Sequence, residues 1–224
     1  MNKQTVIDRM VESGVLPVFR TDDVQHLISA SRAIGEAGIA CVEYTLTMPD
    51  ALALVRQARK QLPKSLLIGA GTVLDGKTVE KAVRAGAQFI ASPGCSPAMI
   101  RACRALGVPS VVGAITPTEV MNALRLGADV IKVFPAPSVG PGFFAEIQGP
   151  FPGVVLMAAG GMSPANLGEY VAAGAQIITC LANGLDAEAY RTGCVEKITR
   201  AAKQWVDAVR RARDKAAAAQ GVRK

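Results

Sequence analysis

Lys132 stands in Asp129-Val130-Ile131-Lys132-Val133-Phe134-Pro135, bracketed by apolar residues and stopped by a proline. The run reads as one short, buried parallel strand. An ammonium group there is costly unless it is paired or sheds its proton. A desolvated lysine amine is a nucleophile toward ketones and forms Schiff bases with them. The plainer reading is a lysine at a strand end, reaching water or paired to a carboxylate. Glu43, in Cys41-Val42-Glu43-Tyr44, is the second charge inside an apolar strand. A carboxyl shut away from water suits general acid/base work, and a structural Glu43–Lys132 ion pair is the competing role. Two opposite charges in such strands point to a couple that acts together.

These residues need a scaffold, and a repeat supplies it. A helix-ending glycine followed at once by an apolar strand recurs at Gly38, Gly86, Gly107, Gly127 and Gly174. Their spacing implies a unit of roughly 20 to 24 residues, enough for one strand and one helix. Strands are expected at 15–20, 39–46, 65–70, 88–92, 109–113, 129–134, 153–158 and 175–180. Amphipathic helices such as 22–37, 49–62, 76–85, 95–106, 117–126 and 164–173 fill gaps between them. Asp22, Met48-Pro49-Asp50, Asp75, Cys95-Ser96-Pro97, Thr116-Pro117 and Ser163-Pro164 offer helix-start chemistry. Eight alternations predict a single α/β domain closed as a (β/α)8 TIM barrel over residues 1–186, with a short N-terminal helix. Residues 187–224 are expected to add a C-terminal helix and a basic, frayed tail. An open doubly wound sheet is the alternative, but no GxGxxG follows the first strand.

Composition excludes several classes. The 224 residues are half apolar with a net charge of +7, and no run is long enough to cross a bilayer. Without a secretory apolar core at the start, a cytoplasmic protein with no membrane partner is expected. Residues 196–224 hold nine Lys/Arg against three acidic residues and so supply +6 of the +7. That basicity reads as a solvated helical face rather than a nucleic-acid surface. Five scattered cysteines form no CxxC pair, and the single histidine, His26, falls in a predicted surface helix. A histidine triad or a histidine-rich metal site is therefore not expected. Cys41 and Cys180 read as small buried hydrophobes. Cys95, at a predicted helix start where a thiolate could be stabilised, reads as an ordinary thiol.

Function in a barrel gathers at the C-terminal strand ends. Those ends are Phe19-Arg20, Thr45-Leu46-Thr47, Gly69-Ala70-Gly71-Thr72, Ser92-Pro93-Gly94, Lys132 with Phe134, Gly160-Gly161, and Leu181-Ala182-Asn183-Gly184. The Gly160-Gly161 pair, before Ser163-Pro164, is placed to bind an anion through backbone N–H groups.

From Gly14 to Leu185 the chain resembles the class I KDPG / 4-hydroxy-2-oxoglutarate aldolases. The resemblance rests on Gly14-Val15-Leu16-Pro17-Val18-Phe19-Arg20, Val42-Glu43-Tyr44-Thr45-Leu46-Thr47, Gly69-Ala70-Gly71-Thr72-Val73-Leu74 and Ser92-Pro93-Gly94. It continues in Thr116-Pro117-Thr118-Glu119, Ile131-Lys132-Val133-Phe134-Pro135-Ala136, Gly140-Pro141-Gly142-Phe143 and Gly160-Gly161-Met162-Ser163. It implies a lyase without metal or cofactor, a homotrimer acting on a small 2-keto acid in Entner–Doudoroff-type carbohydrate metabolism. Lys132 matches the Schiff-base lysine and Glu43 the acid/base. Arg20 and Thr72 would hold the carboxylate, and Phe134 would shield the imine. Thr47, Pro93, Gly160, Gly161 and Asn183 would complete the substrate site. Two positions depart from the pattern. Thr47 stands where some members have arginine, and Leu181-Ala182-Asn183-Gly184 replaces the usual Gly/Ser run after strand 8, which weakens the expectation of a phosphorylated substrate. A sugar-phosphate isomerase or epimerase using Glu43, and a non-catalytic barrel whose basic tail binds an acidic partner, are the competing functions.

Overall fold

A computed structural model describes residues 1–221. Its strands are β1 (Val15–Phe19), β2 (Cys41–Thr45), β3 (Leu67–Gly71), β4 (Phe89–Ser92), β5 (Ser110–Ala114), β6 (Val130–Val133), β7 (Leu156–Ala158) and β8 (Ile177–Leu181). All pair in parallel, in sequence order, and β8 closes on β1. The helices are α1 (Lys3–Ser13), α2 (Leu27–Glu36), α3 (Ala51–Gln61), α4 (Gly76–Ala85), α5 (Pro97–Leu106), α6 (Pro117–Leu126), α7 (Gly140–Gln148), α8 (Leu167–Ala172), α9 (Ala187–Thr192) and α10 (Val195–Gly221). The expected (β/α)8 barrel is what forms.

Local chemistry sets most boundaries. Asp75, Ser96 and Thr116 each accept a backbone N–H at the start of α4, α5 and α6, and Thr116 with Glu119 makes a full capping box. The five repeat glycines all adopt left-handed backbone, with φ from 67° to 109°. At three of the returns a polar residue stitches the new strand to the one before it. Gln88, Asp129 and Gln176 accept the backbone N–H of Ile68, Ser110 and Leu156. That fixes register where the repeat begins.

Two helix starts differ from expectation. α2 begins at Leu27 rather than near Asp22, because Thr21 and Asp23 fold the chain into turns by accepting the N–H groups of Asp23 and Gln25. His26 is its N-cap residue rather than a mid-helix position. α8 begins at Leu167 rather than Ser163-Pro164, because Asn166 turns its amide back onto Ser163 N and Gly161 O.

Side-chain alternation separates two cores. Inward residues Leu16, Cys41, Leu67, Phe89, Ala91, Val111, Val130, Met157 and Ile177 fill the barrel, and Val6, Ile7 and Met10 of α1 plug its N-terminal mouth. Outward residues such as Val42, Tyr44, Ile68, Ile131 and Ile178 pack beneath the helices. Lys3 of α1 pairs with Asp129 at 2.8 Å, pinning the plug to the start of β6.

α10 packs against α8 and α2, taking the eighth place in the outer ring. Ile198, Ala202, Trp205 and Val209 are buried there. Its basic face is not wholly solvated. Arg213 is inserted, donating to the carbonyls of Val11, Glu12 and Gln176. The helix runs to Gly221, and the tail expected to fray, with Arg223 and Lys224, lies partly outside the described residues. Burial of Ile198, Trp205 and Val209 contributes roughly 5–9 kcal/mol, comparable to a whole domain's margin. Deleting residues 187–224 should therefore abolish a cooperative thermal transition, read by circular dichroism. An unchanged melting curve would refute this role for α10.

Candidate active site

β2 and β6 lie four strands apart in the ring of eight, on opposite walls of the barrel. Glu43 and Lys132 both point inward, one step toward the C-terminal rim from Cys41 and Val130. Their side chains meet across the axis, with Lys132 Nζ 3.7 Å from Glu43 Oε2. Small neighbours make this possible. Glu43 pairs in register with Gly69 and Lys132 with Gly113. A Cβ on Gly71 would overlap the Glu43 carboxyl, one on Gly69 the Phe89 ring, and one on Gly113 the Pro93 carbonyl. These glycines were not singled out from the sequence as space-makers. Their crowding exists only once the strands are in register.

Glu43 is fully buried and Lys132 is 8% exposed. At 3.7 Å the pair is an ion contact, longer than a hydrogen bond. Among the described residues neither Glu43 oxygen has a hydrogen-bond partner. A carboxylate so deprived is a poor stabilising device, and its place beside an amine is the signature of a reactive site. Lys132 Nζ also lies 5.8 Å from the Phe134 ring centroid, within cation–π reach.

Above the pair opens a cavity of about 450 Å³. Of the residues expected at the site, Arg20, Lys132, Phe134, Gly160 and Gly161 line it. Glu43 lies beneath, reached through Lys132. Thr72 and Asn183 join through Arg20. The guanidinium donates to Thr72 Oγ1 at 3.4 Å, and Arg20 N–H donates to Asn183 Oδ1 at 3.4 Å. Thr72 sits at φ 59°, a backbone region that a β-branched residue enters only under strain. That strain aims its hydroxyl at Arg20. Two expected residues are not brought to the cavity wall. Thr47 spends its hydroxyl on Thr45 Oγ1 at 3.1 Å, and Pro93 is half-buried with its carbonyl against Gly113.

The cavity also takes in residues the sequence reading gave no site role. Thr179 is inward on β8 and 6% exposed, while Val18, Met162, Cys180, Leu181 and Trp205 supply apolar walls. Alternation along β8 could have marked Thr179. Trp205 comes from α10, and only the closed ring brings it near. The thiols play no comparable part. Burial pushes Cys41 up to about 12, and burial with nearby Glu119 raises Cys95, so Cys95 is not an activated nucleophile. Among the described residues no three His, Cys, Asp or Glu side chains converge as a metal site, and no helix is long and apolar enough to cross a membrane.

A closed (β/α)8 barrel with an amine and a carboxylate paired at its C-terminal rim defines the class: a barrel enzyme equipped for imine chemistry on small carbonyl compounds. Comparison with known proteins narrows it. Residues 6–201 match the family described as "Aldolase: KDPG and KHG aldolase". The chain is 35% identical to the 2-dehydro-3-deoxy-phosphogluconate aldolase of Treponema pallidum, covering 75% of this chain and 80% of that one. It is 31% identical to the KHG/KDPG aldolase of Escherichia coli, covering 92% and 97%. The crystal structure of the KDPG aldolase of Legionella pneumophila, with pyruvate captured as a covalent carbinolamine intermediate, superposes with a TM-score of 0.80 at 27% identity, covering 87% and 95%. The chain belongs to the KDPG and KHG aldolase family. The relatives support the aldolase reading over a sugar-phosphate isomerase.

The space left by Gly71 is testable. Gly71→Ala should displace the Glu43 carboxyl and lower aldolase turnover at least about a hundredfold, as expected for a displacement near 1 Å. Gly142→Ala, where nothing lies within 4 Å of the added carbon, should keep wild-type turnover. Equal activity of the two variants would remove Gly71 from the site's design.

Proposed function

We propose that this chain is a class I aldolase that cleaves a 2-keto-3-deoxy sugar acid or 4-hydroxy-2-oxoglutarate to pyruvate and an aldehyde. The observation that carries the reading is the Lys132 amine 3.7 Å from a buried, otherwise unpartnered Glu43 carboxylate under a cavity at the barrel rim. Lys132 Nζ attacks the C2 ketone, and Glu43 delivers the proton with which the carbinolamine loses water. The protonated imine then draws electrons. Glu43 takes the proton from the C4 hydroxyl, the C3–C4 bond breaks, and its electron pair enters the imine as an enamine. The aldehyde leaves, C3 is protonated, and hydrolysis frees pyruvate and Lys132.

The remaining residues bind and shield. Arg20 and Thr72, already paired, hold the substrate carboxylate as charge and hydroxyl. Phe134, beside the amine, keeps water from the imine. Gly160, Gly161 and Asn183 supply polar groups to the far half of the substrate, while Thr47 and Pro93, set back from the cavity wall, reach only a substrate group that extends beyond it. The family resemblance supports a homotrimer working in cytoplasmic carbohydrate metabolism of the Entner–Doudoroff type.

Borohydride added with pyruvate should leave an irreversible mass increase on Lys132, located by peptide mass spectrometry. Lys132→Ala should lose the adduct altogether, and a normal adduct on that variant would end the mechanism. Glu43→Gln should lower pyruvate release by roughly 10²–10⁴-fold, the usual range for a lost acid/base. Undiminished release would remove Glu43 from proton transfer.

A further inference from the structure

Barrels that bind phosphorylated ligands use the loops after strands 7 and 8 and the start of a short helix that follows, where backbone N–H groups gather. In this chain the same region is built differently. β8 ends at Leu181, which is 55% exposed and forms part of the cavity wall. Its backbone is ordinary, φ −75° and ψ 120°, so nothing in the chain's path requires a particular side chain there. The chain then makes a 3-10 turn over Ala182–Gly184 and enters α9, whose start is closed by its own acid. Asp186 accepts the N–H of Ala189 at 2.9 Å, and Glu188 follows in the first turn. The N–H of Ala189 at the start of α9 is thus already taken by the chain's own carboxylate.

The cations do not compensate. Arg20 and Lys132 are the charged residues lining the cavity. Lys132 is committed to the carbonyl, and the Arg20 guanidinium lies on Thr72. On the opposite wall, Gly160 and Gly161 present backbone that can serve a hydroxyl. Leu181, Met162 and Trp205 add apolar surface to the cavity wall. A phosphoryl dianion placed there would lose its water against a leucine and gain no new cation.

We infer that Leu181 is a specificity-determining residue that selects an uncharged aldehyde partner, one whose carbon tail lies on the leucine, and rejects a phosphorylated one; of the two substrates proposed above this favours the unphosphorylated sugar acid over 4-hydroxy-2-oxoglutarate, whose aldehyde is an anion. The inference rests on the aldolase reading and adds the chemical class of the second substrate. The reaction is the reverse of the cleavage above. C3 of the pyruvate enamine adds to the aldehyde carbon, the aldehyde oxygen takes the proton, and hydrolysis releases the 4-hydroxy-2-oxo acid, so no further reactant is needed.

The test is pyruvate addition by the full chain to acetaldehyde, propanal, butanal, glyceraldehyde and glyceraldehyde 3-phosphate, compared by kcat/KM. Each added methylene should raise the value by about fourfold, the worth of one buried CH2. Glyceraldehyde should exceed its 3-phosphate by at least about tenfold. Leu181→Ser should flatten the aliphatic series and narrow the glyceraldehyde pair, while borohydride trapping of pyruvate stays at the wild-type level and shows the variant folded. A wild-type preference for glyceraldehyde 3-phosphate, or a Leu181→Ser variant with an unchanged order, overturns the inference and leaves the aldolase reading standing. Wild-type protein that traps no pyruvate overturns both.

Discussion

An amine and a carboxylate from opposite walls of the barrel meet near its axis with little water around them, and much of the upper barrel is arranged to permit it. Two long side chains need room to cross, so the inward positions around them are Gly69, Gly71, Gly113 and Ala91 rather than branched residues. A lower layer of Leu67, Phe89, Val111, Val130 and Met157, plugged by α1, is packed in the ordinary way. The division follows the general rule that one end of such a barrel carries stability and the other chemistry. Glu43 without a hydrogen bond is a cost accepted at the rim and offset by the core beneath it.

The outer ring matters to the site as well as to the core. α10 occupies the eighth helical place and brings Trp205 to the cavity, while Arg213 ties the helix to α1 and to the start of β8. The basicity concentrated in this segment is thus partly structural. Arg213 satisfies three carbonyls that helix and strand termini leave open, which is what a guanidinium fork does well.

The cavity has two unlike ends. Near Lys132 it is charged and closely paired, with the strained Thr72 holding its hydroxyl toward Arg20. On β8, Cys180 and Leu181 add apolar wall beside the Thr179 hydroxyl. The family relation accounts for the first end. The second carries Leu181-Ala182-Asn183-Gly184, the segment on which the choice of aldehyde is proposed to turn.

Much of the barrel was legible in the amino-acid order, because caps, left-handed glycines and short apolar runs are local and each acts within a few residues. Lys132 and Glu43 stood out for the same reason: a charge inside an apolar strand is conspicuous without any partner in view. The starts of α2 and α8 were misplaced because Asp23 and Asn166 hydrogen-bond within turns that compete with helix. What the chain's order could not supply was distance. That residues 43 and 132 lie 3.7 Å apart, that Gly71 clears space for a carboxyl from the neighbouring strand, and that Trp205 reaches the cavity are consequences of ring closure and register. Local sequence chose the side chains and their faces, and only the closing of β8 onto β1 decided which of them would touch.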